Sequence, residues 1–318
     1  MRYVLALLTA LPLLAVDGTA INQTTGQPQS DVQINLVQPG EQGMKSLGAF
    51  KTGADGKFKI DAEIPPGPAL LQSTYRGVMY TQAIPPGTPR SGLTINVYEA
   101  SAEPPAGMTT QHLVLLEPSA TQLRVTETFF TRNESKITYQ DTANGSLRMY
   151  LPEGVPADLK INIDSTGVPI QRPVEKGKRP GEYRVDYALK PGDTRFDLEY
   201  ILPASATFSN KVFSNDPATK IVTPASVTLS GDGIKDLGQE PQTQARVYTF
   251  DGTSFKVNIS GVGSIRTPSD APPAEESGAP KCCDESPARV ETQRWWILGL
   301  AFAILLAGGT ILFRKGTA

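Results

Sequence analysis

"VDGTAINQTTGQPQSDVQINLV", residues 16–37, follows directly on an apolar N-terminal run. Val32, Ile34 and Leu36 alternate with Gln33 and Asn35, the period of a strand with one buried face. Thr24-Thr25-Gly26-Gln27-Pro28 lies before them and supplies turn residues. The stretch is expected to be the first hairpin of an all-β domain. The same grammar continues outward. Asp55-Gly56, with Phe50 before it and Phe58 and Ile60 after, reads as a second hairpin turn rather than a ligand site. Pro65-Pro66-Gly67 opens a longer pair of strands, and Pro85-Pro86-Gly87 precedes a closing strand in which Leu93, Ile95 and Val97 alternate with polar residues. Twenty-nine Gly and 27 Pro in 318 residues fit short strands joined by turns.

Gly18, Thr24-Thr25-Gly26-x-Pro28, Asp55-Gly56-Lys57-Phe58 and Ile64-Pro65-Pro66-Gly67 occur in an order and spacing that resembles the carboxypeptidase regulatory-like domain. Gly26 and Gly56 can take positive φ, and Pro28 fixes a turn before the next strand. The resemblance covers residues 16–100. It implies a seven-stranded prealbumin-like sandwich, also grouped with carbohydrate-binding-like folds, that carries no catalytic residues of its own. It also implies an accessory role in a bacterial envelope. The strand after Pro68 lacks the early aromatic usual in that family.

Residues 101–110 read as a linker, and residues 111–263 as a second β-sandwich, immunoglobulin- or fibronectin-like. Its strands include Leu123 and Val125 before Phe129-Phe130, then Leu147, Met149 and Leu151, then Leu159, Ile161 and Ile163. The clearest expected pair is "EYRVDYALKPGDTRFDLEYILP", residues 182–203. There Tyr183, Val185, Tyr187 and Leu189 face one way, as do Phe196, Leu198, Tyr200 and Leu202 across a Lys190-Pro191-Gly192-Asp193 turn. Residues 264–293 hold five prolines, three basic and six acidic residues and no aromatic, and are expected to be an extended acidic stalk.

The ends set the expected location. One arginine and an apolar run ending at Ala15 read as a signal peptide, residues 1–15. Residues 294–315 read as a transmembrane helix with a basic stop. Its apolar stretch, 295–313, has 19 residues and no charge, about 28 Å as a helix. Trp295 and Trp296 suit the membrane interface and Arg314 and Lys315 the cytoplasmic side, leaving 316–318 as a tail. The expected protein is a type I single-pass protein of the plasma (inner) membrane, with its bulk periplasmic or at the cell surface. A net charge of −2 offers no footprint for nucleic acid.

Chemistry is sparse. His112 is the only histidine, no Gly-x-Ser-x-Gly elbow occurs, and the two cysteines are adjacent in the stalk, so neither a nucleophile triad nor a zinc site is expected. His112 is read as a surface or edge-strand residue, and no cofactor or metal is expected. Asp232 and Asp236 sit among glycines but lack the regular spacing of a calcium loop, and are read as a turn. Tyr75, Tyr80, Tyr98, Tyr150 and Tyr248 are the candidates for stacking on a sugar. Asn22, Asn133, Asn144 and Asn258 head Asn-x-Ser/Thr sequons. Cys282 and Cys283, twelve residues before Trp295, favour an interchain disulfide, because adjacent cysteines pair with each other under strain and two anchored chains would hold theirs at one height. Gly299, Ala303 and Ala307 share one face of the span and allow close helix pairing. The expected function is non-enzymatic: a structural, adhesive or accessory module binding an envelope protein. The alternatives are a carbohydrate-binding surface protein and an enzyme with an unrecognised site.

Overall fold

A computed structural model describes residues 15–40, 43–62, 64–165, 169–213, 219–250 and 252–265. The expected leader apart from Ala15, the stalk beyond Ile265, the membrane span and the tail lie outside them. Every regular element among the described residues is a strand, so the chain is all-β there, as the alternation requires. Among the described residues no helix is long and apolar enough to cross a membrane.

The first strands are β1 (Ala15–Asn22), β2 (Gln27–Pro28), β3 (Gln33–Gly40), β4 (Gly43–Lys51), β5 (Lys57–Asp61), β6 (Ala69–Tyr75), β7 (Val78–Ile84) and β8 (Leu93–Val97). One sheet runs β2-β1-β5 with β8 parallel to β1, and the other runs β4-β3-β6-β7. Their inward residues, among them Val16, Ile34, Leu36, Phe58, Leu71 and Ile95, form one core.

Residues 16–37 are not a hairpin. β1 keeps only the two-residue β2 as its turn partner and takes β5 and β8 as its long neighbours. The chain then crosses to the opposite sheet, where β3 pairs with β4 and β6. Likewise, the strands on either side of Asp55-Gly56 belong to different sheets. Both turns pass the chain over one edge of the core. They also pack on each other: Ala20 N–H donates to Gly56 O at 2.9 Å, and Gln29 N–H donates to Ala20 O at 2.8 Å. A Cβ on Gly56, at φ 69°, would lie 2.9 Å from Ala20 O, Gln29 N and Pro28 Cβ. Gly18 is held by proximity alone, since its Cβ would meet Leu93 O of β8 at 2.1 Å.

The later strands are β9 (Glu99–Ser101), β10 (Met108–Pro118), β11 (Gln122–Asn133), β12 (Ile137–Tyr139), β13 (Leu147–Tyr150), β14 (Lys160–Asp164), β15 (Ile170–Pro173) and β16 (Glu175–Lys176). They continue with β17 (Glu182–Val185), β18 (Gly192–Pro203), β19 (Thr207–Lys211), β20 (Lys220–Thr223), β21 (Thr228–Ser230), β22 (Ile234–Gln239), β23 (Arg246–Phe250) and β24 (Ser254–Ser260). Eight of these form the sheet β15-β14-β18-β11-β10-β20-β23-β22, with β10 and β20 parallel. Two three-stranded sheets, β13-β17-β16 and β19-β24-β21, contribute to the same second core. The pair expected across residues 182–203 does not form: β17 pairs with β13 and β16, whereas β18 pairs with β11 and β14. Val185, Leu189, Phe196, Leu198 and Tyr200 are nevertheless all buried.

Of the segment read as a linker, Ser101 ends β9 and Met108 begins β10. β9 runs parallel to β12, pairing Glu99, Ala100 and Ser101 with Ile137, Thr138 and Tyr139. The Tyr80 hydroxyl meets that of Thr138 at 2.9 Å.

Candidate functional site

The centre of the eight-stranded sheet holds a buried carboxylate. On β11 the inward residues are Leu123, Val125, Glu127 and Phe129, and Glu127 is 0% exposed. A carboxylate with no partner there would be prohibitively costly. Tyr200 Oη of the adjacent β18 donates to Glu127 Oε1 at 2.6 Å. Asn210 Nδ2 donates to the same oxygen at 3.3 Å and to the Tyr150 carbonyl at 3.1 Å. His112 Nε2, on β10, lies 2.8 Å from Glu127 Oε2. Burial, then the charge and hydrogen bond of Glu127, push the Tyr200 hydroxyl well above the ordinary tyrosine range.

His112 is not a surface or edge residue. β10 lies between β11 and β20. The imidazole side chain is 12% exposed and stacks on Phe129 with 4.1 Å between centroids. Its Nδ1 faces Thr219 Oγ1 at 3.3 Å, so Thr219, His112 and Glu127 form a continuous hydroxyl–imidazole–carboxylate chain. That order is the one used to activate a nucleophile, but Thr219 is only 6% exposed.

Above this chain lies a cleft of about 410 Å³, with His112 and Thr219 in its wall. Met108, Phe129, Leu147, Met149 and Val212 give it an apolar part, beside Thr109, Thr110, Tyr139 and Ser146. At its rim β13 and the end of β19 interlock their side chains. Arg148 Cζ stands 4.4 Å from the Phe213 centroid, Phe213 stacks on Tyr150 at 5.2 Å, and Lys211 Nζ stands 5.9 Å from the Tyr150 centroid. The result is one column: Arg148, Phe213, Tyr150, Lys211. A cation over each end of the stack is drawn to the π-face, which fixes two long side chains that otherwise sample many rotamers. Among the described residues neither Arg148 nor Lys211 has a salt-bridge partner. A larger cleft of about 680 Å³ on the other face of the sheet differs here, because its Arg132 and Arg195 are paired with Asp193 and Asp197.

The sugar-stacking candidates fare poorly as a surface. Tyr75, Tyr80 and Tyr248 are buried. Tyr98 is half-buried beside Tyr80, with ring centroids 5.8 Å apart. Tyr150 alone borders the cleft, and its ring faces Phe213 and Lys211. Asp236 is bound to Arg246 at 3.2 Å and accepts from Gly238 N–H at 2.7 Å, while Asp232 is exposed. No cluster of three metal-ligating side chains occurs among the described residues. Asp55 accepts from Lys57 N–H at 3.1 Å inside its turn. Cys282, Cys283, Trp295, Trp296, Arg314 and Lys315 lie outside the described residues.

No protein-family model matches this chain, and no curated protein matches it. The reading of the site therefore rests on its own geometry. Glu127 was missed despite a local signal: it occupies the inward parity of Leu123, Val125 and Phe129, where an apolar residue belongs. Arg148-Met149-Tyr150 and Lys211-Val212-Phe213 share the spacing cation-x-aromatic, which on a strand puts both outer residues on one face.

Proposed function

We propose that the chain is a membrane-anchored, non-enzymatic binding protein of the cell envelope. In this reading two tandem β-sandwiches stand outside the plasma membrane on an acidic stalk and offer the cleft beside β13 and β19 to a partner. The observation that carries it is the pair of fixed cations, Arg148 and Lys211, standing without a salt-bridge partner among the described residues beside a partly apolar cleft. Charge free of a salt bridge, held at the mouth of such a recess, is the composition of a binding site.

Other parts of the reading have separate support. The apolar runs at both ends and Arg314-Lys315 support a type I anchor. The packing of Gly18 on β8, and of Gly56 on the Thr-Thr-Gly-x-Pro turn, supports a prealbumin-like, carboxypeptidase regulatory-like first sandwich. The second resembles an immunoglobulin or fibronectin sandwich in its layering, though its main sheet alone has eight strands. A carbohydrate ligand is the weaker alternative, since three of the five candidate tyrosines are buried.

Protease added to spheroplasts tests the placement: degradation of everything but the membrane segment is expected, and a protected β-domain overturns it. An enzymatic second reading is favoured by one observation, the Thr219–His112–Glu127 chain. A fluorophosphonate probe decides between them. Labelling that disappears in Thr219→Val would make the protein an acyl-transfer enzyme, and absence of labelling is expected.

A further inference from the structure

We propose that the cleft bordered by Arg148 and Lys211 binds a single-chain amphipathic anion: an alkyl chain seated in the cleft with its carboxylate or phosphate headgroup held by the two cations. This inference deepens the binding reading above and rests on it.

Three observations lead to that chemistry. The first is the cleft surface. Met108, Leu147, Met149 and Val212 present aliphatic and thioether groups, and methionine's flexible side chain moulds to an unbranched chain better than to a rigid ring system. Of the polar groups in the wall, His112 and Thr219 are engaged with Glu127 and with each other, Thr110 with Thr131, and Ser146 with the Asp141 N–H, so the recess offers few free groups to a polyhydroxylated ligand. The second is the rim. Arg148 and Lys211 are exposed and held in place by Phe213 and Tyr150, and an anion arriving there replaces water around cations that form no salt bridge among the described residues, the nearby Asp141 feeling Arg148 only through its charge. The third is the blocked stacking surface. Phe213 is faced by Arg148 and Tyr150, and Tyr150 by Phe213 and Lys211. The aromatic faces a sugar or a base would need are occupied, and the column presents charge instead. A volume of about 410 Å³ lies within the range of small-molecule sites.

The test uses the full-length protein in nanodiscs of zwitterionic lipid and a dodecanoate analogue carrying a photoreactive diazirine on its alkyl chain. After irradiation, mass spectrometry maps the label. Label is expected on peptides carrying Met108, Met149 or Val212, competed by excess dodecanoate or dodecyl phosphate. Dodecanol, which lacks the charge, and acetate, which lacks the chain, should not compete. The Arg148→Gln and Lys211→Gln variants should each weaken labelling about tenfold, the loss of one charge-assisted hydrogen bond, with unchanged circular dichroism because both residues are exposed. Competition by dodecanol equal to that by dodecanoate, label confined to peptides outside the cleft, or labelling indifferent to both variants would each overturn the proposal. So would displacement by an acidic peptide but not by dodecanoate, which would assign the cleft to a protein partner. Protease accessibility of the same protein in spheroplasts reads the envelope placement separately, so either idea can fail alone.

Discussion

Replacing Glu127 by alanine tests the central claim about the second core. The substitution removes the acceptor for Tyr200 Oη at 2.6 Å and for Asn210 Nδ2 at 3.3 Å, together with the partner of His112 Nε2 at 2.8 Å. Asn210 keeps the Tyr150 carbonyl at 3.1 Å, so two polar groups are left facing a void. Each unsatisfied buried group costs about 1–3 kcal/mol, so the two together cost about 2–6 kcal/mol. For a unit of this size that lowers Tm by roughly 4–24 °C. Glu127→Gln should behave differently. Its carbonyl still accepts from Tyr200, and its amide can donate to His112 Nε2 if the imidazole carries its proton on Nδ1, facing Thr219 Oγ1. Every group then keeps a partner, and the expected loss is about 1 kcal/mol. Urea titration followed by circular dichroism measures both variants. An alanine variant within 1 kcal/mol of the parent would refute the network as a structural element. A glutamine variant as unstable as the alanine one would show that charge, rather than satisfied geometry, holds the site.

Three further outcomes are expected. Glu99 is held below the ordinary glutamate range chiefly by the Tyr75 hydroxyl, helped by Asn22 and Arg76 and opposed by burial; its contribution is full above the unfolded glutamate pKa and is lost as pH falls through the lowered value. Stability should therefore drop on acidification below about pH 4, and Glu99→Gln should show a shallower dependence in a pH series of denaturation midpoints. If the protein is secreted through a glycosylating host, glycan should appear at the exposed Asn258 and be absent from folded chains at Asn22 and Asn133, which are 1% and 2% exposed with their amides donating inward; intact glycopeptide mapping of folded protein checks this, and glycan at Asn22 would contradict the described packing. Non-reducing electrophoresis after thiol quenching should show a Cys282/Cys283-linked dimer, and a monomer band unchanged by reductant, with both thiols open to alkylation, would rule it out.

What the sequence made legible was parity. Val32, Ile34 and Leu36 are buried, as are Val185, Leu189, Phe196, Leu198 and Tyr200, because which face a strand buries is written in its own alternation. Pairing was not legible. A turn signal says that the chain reverses but not whether it returns to the same sheet, and at residues 23–32 and 52–56 the strands on either side lie in opposite sheets. The site failed for a related reason. His112 shares its face with Val114 and Leu116, so its burial was inferable. Its meeting with Glu127 depends on the register that sets His112 opposite Phe129, two residues away from the carboxylate. The rim column is less legible still, since Tyr150 on β13 meets Phe213, two residues past the end of β19, a strand of another sheet.

The stretch 16–37 also organises the junction between the two cores. The Asn22 side-chain oxygen accepts from Thr24 N–H at 3.0 Å, shaping the turn, while its Nδ2 donates to Glu99 Oε1 at 2.9 Å. Glu99 returns the contact through its N–H to Thr24 Oγ1 at 3.0 Å, and that hydroxyl donates to the Lys136 carbonyl, next to β12. One threonine side chain thus serves the turn of the first core and the chain entering the short ladder of the second. Each such bond contributes only about 1 kcal/mol net. Their weight comes from arrangement: β1, β9 and the approach to β12 must all be in place before Thr24 can satisfy both neighbours. The ladder pairs just three residues, Glu99–Ser101 with Ile137–Tyr139, too few to hold its register alone. The buried Tyr80–Thr138 contact at 2.9 Å adds a second anchor from β7. Register at the junction is therefore set by side chains that the first core has already fixed, which is why the Thr-Thr-Gly turn carries more structural information than a loop between two strands requires.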